Sequence, residues 1–256
     1  MNAFRLDGKV AVVTGSSRGI GRSIAEHMAA YGAKVVISSR KQPACDEVAA
    51  AIRAAGGEAI AVPANIGEKA QLDALVQATR RQWGRIDVLV CNAASNPYYG
   101  PMAGLPDEAF HKILQNNIVS NLWLANMVLP EMAERKDGVV IIVSSIGGLK
   151  GTAALGAYAV SKAADMQLAR NLAVEWGKHN IRVNCIAPGL VKTDFARALW
   201  DNPELLARTE AATPLRRIGA PDDIGGIAVF LASRAAAFIT GQTIVADGGV
   251  TIAGGG

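Results

Sequence analysis

Only three cysteines, Cys45, Cys91 and Cys185, occur in the 256 residues. They are far apart, odd in number and form no Cys-x-x-Cys pair, which argues against a disulfide framework or a zinc site and for a reducing, cytoplasmic setting. Histidine is as scarce, and His27, His111 and His179 have no ligand-like spacing, so no metal centre is expected. Charged residues make up 19% of the chain and the net charge of +4 is dispersed, its longest basic clusters being pairs such as Arg80-Arg81 and Arg216-Arg217. A nucleic-acid partner calls for a more concentrated basic surface. No stretch of eighteen apolar residues is present, which leaves no candidate for a membrane-spanning helix. The first eight residues include Arg5 and Asp7 and give no apolar signal-peptide core, and the final Ala-Gly-Gly-Gly is not a targeting tripeptide.

What the chain has in quantity is apolar residues, half of the total, and 27 glycines. That composition buries a sizeable core, and without repeats, linkers or low-complexity segments it reads as one domain over 1–256. Short β-branched runs at 9–14, 33–38, 58–63, 86–91, 138–143, 181–186 and 242–245 alternate with helical patterns at 20–31, 43–55, 69–83, 107–134, 157–178 and 222–232. Strands separated by amphipathic helices imply βαβ units, a parallel sheet and right-handed crossovers. In such α/β sheets ligands bind beyond the carboxyl ends of the strands. Attention therefore goes to Gly15, Arg40, Asn65, Asn92, Ser145 and Pro188.

The first run ends in Gly15-Ser16-Ser17-Arg18-Gly19-Ile20-Gly21, between a strand and a helix. In that setting glycines let a pyrophosphate approach the backbone and the free N–H groups of a helix N-terminus. A merely structural glycine turn is the other reading. At the end of the second run an Asp or Glu would bind the ribose 2′-OH of NAD, but the chain has Ser38-Ser39-Arg40-Lys41. Arg40, joined by Arg18, suits a 2′-phosphate through charge-assisted contacts, so NADP (NADPH) is the expected coenzyme and NAD the less favoured one.

Ser145 stands thirteen residues before Tyr158, which stands four before Lys162. Residues four apart share a helix face. An ammonium beside a phenol favours the phenolate and draws its pKa down from about 10, as a general acid–base requires. Ser145, just past a strand, can donate a hydrogen bond to the oxygen whose proton moves. A Tyr-x-x-x-Lys pair alone also arises on ordinary solvated helix faces. Asn116 and Asn117 interrupt an apolar helical stretch and imply buried polar work, with plain core hydrogen bonding as the alternative. The segment 194–213, broken by Pro203 and Pro214, reads as a lid beside the strand ends. Tyr98, Tyr99, Leu149, Leu155, Phe195 and Trp200 form a candidate apolar substrate pocket, or else line a subunit interface.

Taken together and in order, Thr14-Gly15-x-x-x-Gly19-x-Gly21, Asn92-Ala93-Ala94, Asn117, Ser145, Tyr158-x-x-x-Lys162 and Pro188-Gly189 make the chain resemble, over essentially its full length, the short-chain dehydrogenase/reductase family. Ser38-Ser39-Arg40-Lys41, Asn96-Pro97 and the stretch from Asn180 to Thr193 resemble in particular its member 4 branch of NADP-dependent carbonyl reductases, without the peroxisomal tripeptide of that branch. The resemblance implies a single-domain Rossmann-like fold, doubly wound on a seven-stranded parallel sheet, and a homotetramer built on the two long central helices and the last strand. It makes Tyr158 the acid–base, has Lys162 hold the nicotinamide ribose, Ser145 orient the substrate oxygen, and Asn117 position a water linking Lys162 to solvent.

The same resemblance assigns the coenzyme to Gly15, Ser17, Arg18, Gly19, Ile20 and Gly21; Ser39, Arg40 and Lys41; Asn65 and Ile66; Asn92, Ala93 and Ala94; and Pro188, Gly189, Val191 and Thr193. Cofactor motifs then fall mainly in 9–95, the tetrad in 117–162 and the lid in 190–214. Asn65 departs from the usual Asp at the adenine amino group, though its carbonyl can still accept. The expected reaction is hydride transfer between NADPH and a hydrophobic ketone, aldehyde or dicarbonyl. A 3-oxoacyl carrier-protein reductase and a non-catalytic NADP-binding regulator are the alternatives.

Overall fold

The computed structural model describes residues 3–253. Its strands are β1 (Val10–Thr14), β2 (Lys34–Ser38), β3 (Glu58–Ala61), β4 (Val88–Cys91), β5 (Gly138–Val143), β6 (Ile181–Pro188) and β7 (Thr243–Ala246). They form one sheet in the order β3-β2-β1-β4-β5-β6-β7, and every pairing is parallel. The central strands β1, β4 and β5 are buried along their whole length, which is why they read as unbroken apolar runs rather than alternating ones.

The helices are α1 (Gly19–Ala30), α2 (Gln42–Ala54), α3 (Lys69–Trp83), α4 (Asp107–Leu114), α5 (Ser120–Arg135), α6 (Gly156–Trp176), α7 (Arg197–Trp200), α8 (Pro203–Ala212) and α9 (Asp222–Ala232). They cover the sheet on two sides. Alternate strand residues such as Val13, Ile37 and Ile141 face Ile24, Met28, Val48 and Ile224 from α1, α2 and α9. The others, such as Val12, Leu89 and Ile142, face Leu75, Val128 and Leu172 from α3, α5 and α6. A strand's period of two thus feeds two separate cores. No helix among the described residues is long and apolar enough to cross a membrane.

The helix expected over 107–134 is interrupted. A π-helical turn, Gln115–Val119, joins α4 to α5, and it carries Asn116 and Asn117 into the interior. Single π turns of this kind widen a helix locally and are frequent at functional sites. The expected lid segment is a 3-10 turn followed by α7 and α8, and neither α7 nor α8 contains a fully buried residue.

Candidate active site

Strand register places the site. Thr14 lies opposite Ser38, Cys91 opposite Ile142 and Val143 opposite Ile186, so the loops after β1, β2, β4, β5 and β6 open along one edge of the sheet. Of the coenzyme residues expected from the sequence, Pro188 ends β6 and Lys162 lies in α6, and the others lie in these loops, in the loop after β3 or at the start of α1.

The loop after β1 is tied down from several sides. Thr14 Oγ1 accepts from the N–H groups of Asn92 and Ala93 at 3.0 and 3.1 Å, and Asn92 Nδ2 donates to the carbonyls of Thr14 and Gly15 at 2.9 and 3.2 Å. Ser16 Oγ donates to Val13 O and accepts from Ser38 N. Gly15 and Gly19 have φ of +67° and +56°, conformations that favour glycine. A Cβ on Gly21 would lie 2.4 Å from both Asn92 Nδ2 and Gly15 O, and one on Gly19 would meet Thr193 Cγ2 at 3.1 Å. The cradle is therefore built for backbone alone, as a bound pyrophosphate needs. Ser17 and Arg18 lie in the same loop and Ile20 in the first turn of α1.

Arg40 and Lys41 are exposed in the turn between β2 and α2, and Arg40 forms no ion pair among the described residues. Arg18, also exposed, reaches across the site to Asp194 at 3.4 Å, and Arg197 holds the other oxygen of Asp194 at 2.8 Å. The glycine loop is thus linked to the lid. Asn65 turns its carbonyl oxygen to Gly67 N at 3.2 Å, within its own turn, and Ile66 is half-buried beside it. Pro188 ends β6, and Val191 is buried where its loop bridges to Gly219.

The catalytic candidates converge at the ends of β5 and α6. Ser145 caps the turn after β5, its Oγ accepting from Gly147 N at 3.0 Å. A Cβ on Gly147 would sit 3.4 Å from Ser145 Oγ and 3.9 Å from Tyr158 Cε1, so the two side chains flank one small space. Tyr158 is half-buried, its ring 6.1 Å from that of Phe195, and Lys162 Nζ lies 5.6 Å from its ring centroid.

Lys162 is buried, and its ammonium donates to Val143 O and to Asp165 Oδ2, both at 2.9 Å. Burial pulls the Lys162 pKa down, but the charges of Asp165 and Tyr158 and the hydrogen bond to Asp165 outweigh it, and the net direction is up. For Asp165 the larger effect is burial, which pushes its carboxyl up against the pull of Lys162 and Asn121. The contacts fit an ammonium facing a carboxylate. Removing one partner of such a pair strands the other charge in the interior, at a cost of about 3–5 kcal/mol.

Asn117 is fully buried. Its Oδ1 accepts from Ser95 N at 2.8 Å, and its Nδ2 donates to Ser95 O and Ser161 Oγ at 3.1 and 3.0 Å. The Asn117 carbonyl accepts from Asn121 Nδ2 at 2.6 Å, and the same Nδ2 donates to Asp165 Oδ1 at 3.0 Å. Side chains thus connect Asn117 to Lys162 through Asn121 and Asp165. Ser95, Asn121, Ser161, Asp165 and Asp194 are contributors that sequence reasoning missed. Asp165 had a usable signal, since an acid three residues after a lysine shares its helix face.

Of the pocket candidates, Phe195 meets Tyr158, and Leu155 sits at the start of α6 where Gly100 bridges to it. Tyr98 spends its hydroxyl on Pro101 O at 2.9 Å and packs on Gly100; Tyr99 and Leu149 are exposed. Trp200 donates its indole N–H to Thr193 O at 2.9 Å, with Lys192 over its ring. A cavity of about 400 Å³ lies under the lid, lined by Ile146, Leu190, Leu199, Leu205 and Thr209 among others. It adjoins Ser145 through Ile146 but does not reach Tyr158, so it extends the site rather than holding the reacting groups.

A family model described as "Enoyl-(Acyl carrier protein) reductase" matches residues 15–251. Dehydrogenase/reductase SDR family member 4 of Bos taurus is 41% identical over 95% of this chain and 88% of its own. A gluconate 5-dehydrogenase from Burkholderia cenocepacia, solved with NADP and tartrate, superposes with a TM-score of 0.94 at 32% identity, covering 99% of both chains. A 7α-hydroxysteroid dehydrogenase complexed with NADH and 7-oxoglycochenodeoxycholic acid superposes with a TM-score of 0.93 at 37% identity over 96% of both. With the parallel sheet, the glycine cradle and the Ser145, Tyr158 and Lys162 arrangement already in place, these likenesses make the chain a member of the short-chain dehydrogenase/reductase family of oxidoreductases.

Proposed function

We propose that the protein is an NADPH-dependent carbonyl reductase, reversible as an alcohol dehydrogenase, acting on a hydrophobic ketone, aldehyde or dicarbonyl. The observation that carries this reading is the convergence of Ser145, Tyr158 and Lys162 beside a cradle that admits only backbone. Tyr158 gives its phenolic proton to the substrate oxygen in reduction and removes it in oxidation. Ser145 Oγ donates a hydrogen bond to that oxygen and fixes its position. Lys162 places a positive charge 5.6 Å from the centroid of the Tyr158 ring, beside the group that exchanges the proton. Bound NADPH supplies the hydride; Gly15, Gly19 and Gly21 with Asn92 would hold its pyrophosphate end, and Arg40, Lys41 and Arg18 its 2′-phosphate. Phe195, Leu155 and Trp200 give the substrate side an apolar lining.

Similar proteins have been solved with NADP and with NADH, so coenzyme choice is a matter for this chain's own residues. Arg40, exposed and free of ion pairs among the described residues, favours the phosphorylated coenzyme. Hydrogen bonds to charged groups contribute about 1.5–3 kcal/mol, roughly a 10- to 100-fold preference. Initial rates with NADPH and NADH, measured side by side on diketones, aromatic ketones, retinal and an acetoacetyl thioester, are expected to favour NADPH by that factor on the hydrophobic ketones. Arg40→Asp should reverse the preference. Equal use of both coenzymes by the wild type would sink the coenzyme assignment, and turnover confined to the thioester would replace the carbonyl substrate class by an acyl one.

Assembly into a homotetramer belongs to the same proposal. Val160 and Val174 on α6 and Phe238 and Val245 near the last strand are exposed apolar side chains, placed on the elements that the family resemblance assigns to subunit contacts. Val174→Glu is expected to lower the mass seen by light scattering to that of a dimer or monomer. A wild type that is itself monomeric at micromolar concentration rules the assembly out.

A further inference from the structure

The buried carboxylate of Asp165 has no part in the roles assigned so far, although it is bonded to the only buried lysine among the described residues. We infer that Asp165 is a positioning residue for proton transfer: its carboxylate anchors Lys162 in place and moderates the positive charge that Lys162 presents to Tyr158. The inference rests on the reading of Tyr158 as acid–base.

The geometry leaves Asp165 little freedom. Oδ2 takes the Lys162 ammonium at 2.9 Å, Oδ1 takes Asn121 Nδ2 at 3.0 Å, and the residue is completely buried. With Val143 O as second acceptor, two of the three N–H bonds of Lys162 are fixed and the third remains for other work. Tyr158 and Lys162 occupy adjacent turns of α6 with the ammonium 5.6 Å from the ring centroid, well within the range at which an uncompensated charge acts on a phenol. A carboxylate 2.9 Å from that ammonium cancels part of its field.

The other titratable groups facing the pair are few. Tyr158 lies on the same helix, Cys91 ends β4 and Cys185 lies in β6, its thiol 3.5 Å from Asp165 O; Asn121 from α5 and the Val143 carbonyl from β5 are neutral. Burial first, and the Asp165 charge after it, pushes both thiols up, so both stay protonated and uncharged through the neutral range. Asp165 is therefore the group that balances Lys162.

The test is the pH profile of alcohol oxidation by the wild type, Asp165→Asn and Tyr158→Phe, followed with coenzyme saturating. Asp165→Asn keeps an acceptor for Lys162 but removes the compensating charge, so the alkaline-rising limb should move to lower pH by about one unit. A profile that coincides with the wild type, or moves upward, overturns the inference. Should Asp165→Asn not fold, Asp165→Glu decides. It retains the charge but displaces it by one methylene, and a loss of about tenfold or more in kcat with an unmoved limb is expected, whereas unchanged kcat overturns the anchoring role. If Tyr158→Phe turns over normally, the reading of the site fails; if it is inactive and only the Asp165 results deviate, the inference alone fails.

Discussion

Tyr158→Phe is expected to lose about 100- to 10,000-fold in kcat for both reduction and oxidation, the range that a positioned general acid–base contributes. The substitution removes one hydroxyl and keeps the ring that packs 6.1 Å from Phe195. Ser161 Oγ bonds to the Tyr158 main-chain carbonyl, so the helix start is untouched. Folding, melting temperature and coenzyme affinity should therefore stay near the wild type. The combination matters more than the loss of rate, because a collapsed site would lower all of them together. Turnover within a few-fold of wild type would remove Tyr158 from the mechanism.

The second large effect is expected at Gly21. A Cβ there meets Gly15 O and Asn92 Nδ2 at 2.4 Å, and neither can withdraw: Gly15 sits in a left-handed turn and Asn92 is bonded to the carbonyls of Thr14 and Gly15. Gly21→Ala should thus force the glycine loop out of shape. Overpacking of this sort costs about 1–3 kcal/mol, and in a chain of this size each kcal/mol lowers the melting temperature by roughly 2–4 °C. With the coenzyme site proposed above, affinity for NADPH should fall by about tenfold or more. Gly226, exposed in α9 with nothing near its missing Cβ, is the control, where Ala should be neutral or stabilising by up to about 1 kcal/mol. A Gly21→Ala protein that melts and binds NADPH like the wild type would mean that the loop can yield.

Much of this architecture is legible in the residues because buried parallel strands have to be short β-branched runs, as in β1 and β5, and because the candidate site residues follow such strands directly. Gly15, Asn92 and Ser145 are found by that rule alone. The π turn at Gln115–Val119 escapes it, since one widened turn barely disturbs a 3.6-residue pattern, although the two asparagines mark the spot. Asp165 escapes for another reason. On paper Lys162 and Asp165 look like any solvated i,i+3 pair, and only the packing of α5, β4 and β6 around α6 makes them a buried one. Contacts across the site, such as Arg18 with Asp194, join residues 176 apart and have no local signature.

The placement of β4 beside β1 governs how the chain can assemble during synthesis. The first three strands emerge and pair as β3-β2-β1, leaving one side of β1 open until β4 arrives to set Val90 against Val13. Among the described residues no neighbouring strands are joined by a hairpin, so each addition closes a long loop before its contacts reward it, and such sheets form slowly. In that interval Val10–Thr14 is an uncovered apolar edge on a nascent half-sheet, the kind of surface that recruits other chains. The strand that ends in the glycine turn is thus an edge strand until β4 pairs with it.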